Sequence, residues 1–310
     1  MENLRDVFMN ELIEYAAKEK RIVVLDPDVG EATRTWNFGE RYPDRFYEFG
    51  IAEQNTFGVA SGLASTGCIV FASTFAVFTS MRAAEMVRTS ICYPKRNVKM
   101  IGGYAGISNG KDGATHQSLE DIAIMRSFAN LVVLAVSDPV IARKVVVAVC
   151  EYVGPVYLRM EYETLPPVHP ESLEFQIGKG YVVRKGKHVT VASYGTALYR
   201  GMAAAATLQA EGIEAEVLDF PTLKPFDKDT LLKSVDKTGA LITLEDHNLI
   251  GGLKSIAGEC LLEAGVRTKY RGLGIADLYT ESGKTEELRS LYGIDAAAVV
   301  GAARELARGN

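Results

Sequence analysis

Tyr47–Thr66 reads YEFGIAEQNTFGVASGLAST. A short aromatic run ends at Gly50, and from Gln54 the pattern is helical. Glu53 therefore falls at a strand-to-helix turn, the junction from which parallel α/β sheets are built. Gly58 and Gly62 stand one helical turn apart, a spacing that lets another backbone come close. A carboxyl following an apolar strand feels two opposed influences. Desolvation disfavours its charge, and the helix N-terminus favours it. The ordinary reading is a first-turn glutamate satisfying free backbone N–H groups. The functional one is a carboxyl that shares a proton with a heterocyclic nitrogen.

Working outward, the same alternation fills the first half. Ile22–Leu25, Cys68–Ser73, Val98–Ile101, Leu131–Val136 and Val156–Leu158 read as strands. Leu4–Lys18, Gln54–Ala64, Ala76–Ser90 and Pro139–Tyr152 read as helices. Continuous apolar strands separated by helices indicate a parallel sheet covered on both faces. Thr164–Pro170, TLPPVHP, interrupts the pattern with linker chemistry. Beyond it His188–Ser193, Glu214–Leu218, Ala240–Leu244 and Tyr270–Ile275 read as strands, with helices at Thr196–Gln209, Leu253–Ala264 and Ala296–Ala307. The expected fold is α/β, with two open, mostly parallel sheets flanked by helices. Residues 1–168 form one domain and 169–310 the other.

The chain has 310 residues, 47% of them hydrophobic, and a net charge of −5, which suits two domains and gives no reason to expect nucleic acid or an anionic membrane as partner. No apolar run approaches the roughly 20 residues of a membrane span. The N-terminal stretch mixes charges and lacks the apolar core of a signal peptide. Cys68, Cys92, Cys150 and Cys260 are dispersed, so free thiols in a reducing cytoplasm are expected.

Three further stretches carry candidate chemistry. Phe75 and Phe78, in STFAVF, are spaced to share a helix face, as core residues or as an aromatic shelf. Gly102–Gly113 is a glycine-rich loop leading to Asp112 and His116, in DGATHQ. Asp112 either caps a helix beginning near Ser118 or binds a ligand; His116 suits proton transfer near neutral pH. Asp26 and Asp28, in VVLDPDVG, end the first strand, where ligands of open α/β sheets gather.

GIAEQN, STFAVF and DGATHQSLEDIAIMRS, in this order and spacing, resemble the pyrimidine-binding half of the transketolases, and the resemblance runs through essentially the whole chain. It implies the C-terminal subunit of a split, thiamine-diphosphate-dependent transketolase, which moves a two-carbon ketol unit from a ketose to an aldose. Glu53 matches the glutamate that hydrogen-bonds the cofactor's aminopyrimidine and promotes the tautomer that activates the thiazolium carbon. Phe75 and Phe78 match residues flanking that ring; Met81 stands where a tyrosine is usual; Asp28 matches an aspartate near the cofactor. Asp112 and His116 match substrate-binding residues, His116 also moving protons at the sugar.

The family holds its sugar phosphate with arginines, a histidine and a serine. Arg5 matches one arginine, but Tyr104 stands at the histidine position, Ala32 at the serine and Tyr162 at the second arginine. Phosphate favours bidentate, charged donors, so the two-carbon transfer is expected to persist with a changed distal group on the sugar. Arg34, Lys111 and Arg159 are the candidates to compensate. The diphosphate segment, G-D-G…N, has no counterpart here, so no metal ligand is assigned to this chain. Mg²⁺ is expected on a separate N-terminal subunit, giving an α₂β₂ assembly. TLEDHNLIGG (Thr243–Gly252) contains an acid–acid–His run, Glu245–His247, to which the resemblance gives a structural and dimer-contact role. The rival readings are the beta subunit of a 2-oxo acid dehydrogenase-type decarboxylase, deoxyxylulose phosphate synthase, and a non-catalytic scaffold.

Overall fold

The computed structural model describes residues 1–308; the last two residues of the expected 169–310 domain lie outside them. The strands are β1 (Glu2–Asn3), β2 (Ile22–Asp26), β3 (Phe46–Glu48), β4 (Ile69–Phe75), β5 (Val98–Gly103), β6 (Val132–Ala135) and β7 (Val156–Arg159). Then follow β8 (Thr164–Leu165), β9 (Tyr181–Arg184), β10 (Val189–Ser193), β11 (Ala215–Asp219), β12 (Thr222–Lys224), β13 (Ala240–Asn248) and β14 (Lys269–Ile275). One sheet has the order β12-β6-β7-β5-β4-β2-β3 and the other β14-β13-β10-β11-β9. Both are parallel apart from the edge strands β12 and β9. The expected α/β architecture is what the chain adopts.

The inner strands are buried along their length because helices cover both faces. On one face of the first sheet the Leu4–Lys18 and Pro139–Glu151 helices pack over Phe71, Leu134 and Leu158. The other face shares a core with the second half, in which Val70, Ile122 and Tyr157 join Leu218, Phe220 and Leu253. The two sheets are therefore not independent bodies. β12, from beyond residue 168, pairs with β6 and completes the first sheet.

The proline stretch is fastened at both ends. β8 pairs with β1. Asp138 caps the Pro139–Glu151 helix through Ile141 N–H and also accepts from the Val168 and His169 N–H groups, each at 2.7 Å. His169 is buried, with Nδ1 3.3 Å from Asp138 and Nε2 3.5 Å from Asp219. Burial alone would lower the imidazole's pKa; the Asp138 bond and the Asp219 charge outweigh it and raise it. Burial pushes Asp219 up to about 7. Both shifts have the same consequence. A raised histidine contributes stability that is present below its unfolded value and lost as pH rises through the folded one. A raised carboxyl imposes a penalty once it must ionise. The melting temperature is therefore expected to fall as pH rises, through Asp219 from about pH 4 to 7 and through His169 above about 6.5, and His169→Gln should flatten the upper part of that slope. A slope unchanged in the variant would contradict this account of the junction.

One expected helix differs. Ala76–Ser90 is not a regular α-helix. Phe78–Arg82 and Val87–Cys92 are π-helical, with a short α turn at Ala84–Met86 between them. Periodicity cannot register the extra residue per turn, and such π segments concentrate at functional sites.

Candidate functional site

The C-terminal ends of β2, β3, β4 and β5 gather the residues in question. At the end of β2 the turn is organised by Asp26. It accepts from Val29 N–H at 2.6 Å and from the Thr33 and Thr35 hydroxyls at 3.0 and 2.6 Å. Burial raises its carboxyl to about 6, against those three bonds. This scaffold holds Asp28, the site candidate, exposed and at φ +65°. Glu48, which the sequence did not single out, accepts from Asp28 N–H at 2.6 Å and Gly50 N–H at 2.9 Å. It ties the Asp28 turn to the turn that precedes Glu53.

Glu53 opens the Glu53–Ser65 helix and is 8% exposed. The bland reading, a glutamate satisfying the helix's own N–H groups, does not describe it. Its carboxylate has no hydrogen bond or ion pair among the described residues. Its oxygens are not fully enclosed, so a ligand can reach them. The close backbone approach expected at Gly58 and Gly62 is absent among the described residues: a Cβ at Gly58 would meet only the Met86 sulfur, at 3.9 Å, and at Gly62 nothing within 4 Å.

The same helix packs on β4 and on the Phe78–Arg82 segment. Phe75 ends β4 and Phe78 begins the π turn. They share no helix face, yet their rings lie 6.0 Å apart and 13° from parallel. Met81 stands half-exposed on the same segment. His116 meets both phenylalanines edge-on, at 5.9 and 5.4 Å, and its Nδ1 is 2.9 Å from the Thr115 hydroxyl. A partnerless carboxylate at the start of a helix that packs on the segments carrying two near-parallel rings fits an aminopyrimidine. The carboxyl serves a ring nitrogen, and the rings serve its face.

Asp112 caps no helix. It sits in the Gly110–Asp112 3₁₀ turn and accepts from Asn109 Nδ2 at 2.6 Å; the following helix begins only at Asp121. The loop that carries it is held by the second half. Asp246 Oδ1 accepts from Ile107 N–H at 2.9 Å, Gly283 N–H donates to Gly110 O at 2.9 Å, and Gln117 bonds Glu281 O and Thr280. A Cβ at Gly106, Gly110 or Gly113 would strike Asp246, Gly283 or Ser282. The acid–acid–His run is thus consumed by structure. Glu245 accepts from Leu253 and Lys254 N–H at the start of the next helix, and His247 bridges Asn248 O and Ala123 N–H.

The positions that depart from the phosphate-binding pattern converge. Arg5 is 5% exposed, and its Nη1 donates to Ala32 O and, at 2.8 Å, to the Tyr104 hydroxyl. Its guanidinium lies 4.1 Å from the centre of the Tyr162 ring. Tyr104 and Tyr162 stack at 5.0 Å, and Tyr104 lies 4.7 Å from Phe75. One aromatic ladder thus runs Phe78–Phe75–Tyr104–Tyr162–Arg5. Of the compensating cations, Arg34 lines the same cavity but is tied to Asp6 at 2.7 Å. Lys111 lines a different cavity, with Gly283 and Thr285. Arg159 is excluded: it is 1% exposed and locked between Asp121 and Glu161.

Fold and site define a two-domain α/β subunit with a carboxylate and a ring platform at the strand ends of its first sheet. The chain belongs to the transketolase family: the transketolase pyrimidine-binding domain matches residues 2–167 and the transketolase C-terminal domain residues 178–299. It is similar to the 6-deoxy-6-sulfo-D-fructose transketolase subunit SqwH of Clostridium sp. strain MSTE9, at 39% identity over 98% of this chain and 94% of that one. It is similar also to an apulose-4-phosphate transketolase subunit of Actinobacillus succinogenes, at 36% identity over 93% and 94%. A solved split-gene transketolase, described as an inactive β4 tetramer, superposes with a TM-score of 0.92 at 40% identity over 99% of both chains. The chain corresponds to the C-terminal subunit of a split transketolase.

Proposed function

We propose that the chain supplies the pyrimidine side and the sugar-binding loop of a thiamine-diphosphate-dependent ketol transfer, in an assembly with a diphosphate-binding subunit. The observation that carries this is Glu53, a carboxylate without a partner among the described residues, on a helix packed against the segments that bear the Phe75 and Phe78 rings. When bound, the cofactor supplies the nucleophilic carbon and the electron sink. Glu53 holds a proton at the ring nitrogen, while Phe75, Phe78 and Met81 support the ring faces. Asp28, on the neighbouring turn, would help hold the cofactor. His116 moves a proton at the sugar carbonyl and hydroxyl, Asp112 accepts from a sugar hydroxyl, and Arg5 reads the distal end. The second half fixes where Asp112 and His116 stand, by propping their loop from Asp246 and residues 280–283.

Mg²⁺ and the diphosphate belong to the partner, in an α₂β₂ enzyme. That the structural relative without activity is a β-only tetramer fits this division. The domains divide near residue 168. No helix among the described residues is long and apolar enough to cross a membrane, and the four free cysteines suit a cytoplasmic enzyme.

The chain purified alone should give no ketol transfer from a ketose or from hydroxypyruvate. Co-expression with the diphosphate-binding partner should restore it, with pyruvate inert as donor. Robust transfer by the lone chain would overturn the split. Turnover of pyruvate in place of the ketose would instead favour the decarboxylase reading.

A further inference from the structure

The cavity beside Arg5 has a volume of about 630 Å³ and is lined by Arg5, Asp28, Glu31, Arg34, Tyr104 and Tyr162 among others. Three of these, Asp28, Arg34 and Tyr104, have φ of +65°, +69° and +55°. Left-handed backbone is unusual for any residue with a side chain and a genuine outlier for a ring as large as tyrosine. Such conformations persist where the surrounding structure enforces them, and they cluster at ligand sites. Six non-glycine residues among those described have positive φ, and half of them border this one cavity.

Arg5 cannot present a free fork there. Nε donates to Asn3 Oδ1 at 3.3 Å, and Nη1 serves both Ala32 O and the Tyr104 hydroxyl. The planar face is covered by Tyr162. Only Nη2 has no hydrogen bond among the described residues, so Arg5 offers a single edge. Arg34 is neutralised by Asp6, with its Nη1 on Glu31 O. Two exposed carboxylates, Asp28 and Glu31, complete the wall. A phosphate dianion would meet one unengaged edge of Arg5 and an Arg34 already paired with Asp6, and would face two like charges. A hydroxyl can donate to either carboxylate, accept from Arg5 Nη2, and rest its C–H face on the tyrosine rings.

We infer that this cavity takes an uncharged, hydroxyl-bearing distal end of the sugar, with Tyr104 and Tyr162 as the residues that determine this specificity. The inference rests on the ketol-transfer reading and goes further, by naming the substrate class. Tyr104 acts as a positioning residue. Its hydroxyl holds Arg5 and its ring abuts Phe75, so it links the distal subsite to the cofactor platform.

The test uses the two-subunit enzyme with a fixed aldehyde acceptor and three donors: D-xylulose, D-xylulose 5-phosphate and hydroxypyruvate. D-Xylulose should show the higher kcat/KM of the two ketoses, and millimolar inorganic phosphate should not compete with it. Tyr162→Arg frees the face of Arg5 and adds a second guanidinium, which should shift the ratio toward the phosphorylated donor by about tenfold or more. A melting temperature of the Tyr162→Arg enzyme close to the parent's separates specificity from misfolding. A phosphorylated ketose used as well as or better than the free one, or competitive inhibition by phosphate, overturns the inference. Failure with hydroxypyruvate, which lacks a distal end, would count instead against ketol transfer itself.

Discussion

Glu53→Gln in the assembled two-subunit enzyme should lower kcat for ketol transfer by about 10²–10⁴, the range in which a positioned acid–base group contributes. The amide nearly matches the carboxyl in size but cannot take up and return a proton. The loss should fall on kcat, with the KM for the donor little changed, because Glu53 lies at the strand-to-helix turn and not on the Asp112–His116 loop. Folding should not suffer. Glu53 is 8% exposed and its carboxylate makes no hydrogen bond among the described residues, so its neutral replacement should leave the melting temperature little changed. Loss of turnover in a protein of undiminished stability is a signature that a merely structural glutamate would not give. Full activity of the variant would return this chain to the scaffold reading.

The second large effect is on stability. Arg159 lies 1% exposed at the end of β7. Its Nε donates to Asp121 Oδ2 at 3.0 Å, Nη1 to Glu161 Oε1 at 2.6 Å and Nη2 to Asp246 O at 2.6 Å. Asp121 also accepts from the Tyr157 hydroxyl, and Glu161 accepts from Thr196 N–H. One guanidinium thus joins the first sheet, the helix after the substrate loop and the second half. Arg159→Met keeps much of the volume and leaves two buried carboxylates without their counter-charge. Breaking a buried pair from one side costs about 3–5 kcal/mol, readable as a lowered urea midpoint. Arg159→Met with Asp121→Asn should recover part of that loss, since the orphaned charge is then removed. A variant as stable as the parent would show that the network contributes specificity alone.

The sequence disclosed most where the signal was periodic. The five inner strands of the first sheet were legible because helices bury them on both faces, so they read as unbroken apolar runs. β3 and β12 were not legible. Each has three residues, too few for any period, and β12 belongs to a sheet on the far side of the proline stretch. The π-helical stretch was read as an ordinary helix for the reason given above. At the site, Glu53, Phe75, Phe78 and His116 were found as motif members, but the state of Glu53 was not. Whether a first-turn glutamate is satisfied depends on partners that only tertiary structure reveals. Tyr104, Tyr162 and Ala32 were legible only as departures from a pattern. Their assembly around Arg5, from distant parts of the chain, is a property of the fold. The glycines of the Gly102–Gly113 stretch marked a loop but not what it packs against. The answer, Asp246 and residues 282–283, lies in a half of the chain whose role the sequence left as generically structural.

β12 bears on what counts as a module here. By resemblance the chain is two units joined by a linker, and a designer would cut between them. By hydrogen bonding it is not. The piece ending at residue 168 would present β6, buried along its whole length, as a raw apolar border, the kind of border that recruits foreign strands. The remaining piece would carry Thr222–Lys224 with no sheet to join. Exchange of these two halves between relatives, in the laboratory or over evolutionary time, must therefore carry β12 across together with the sheet it closes.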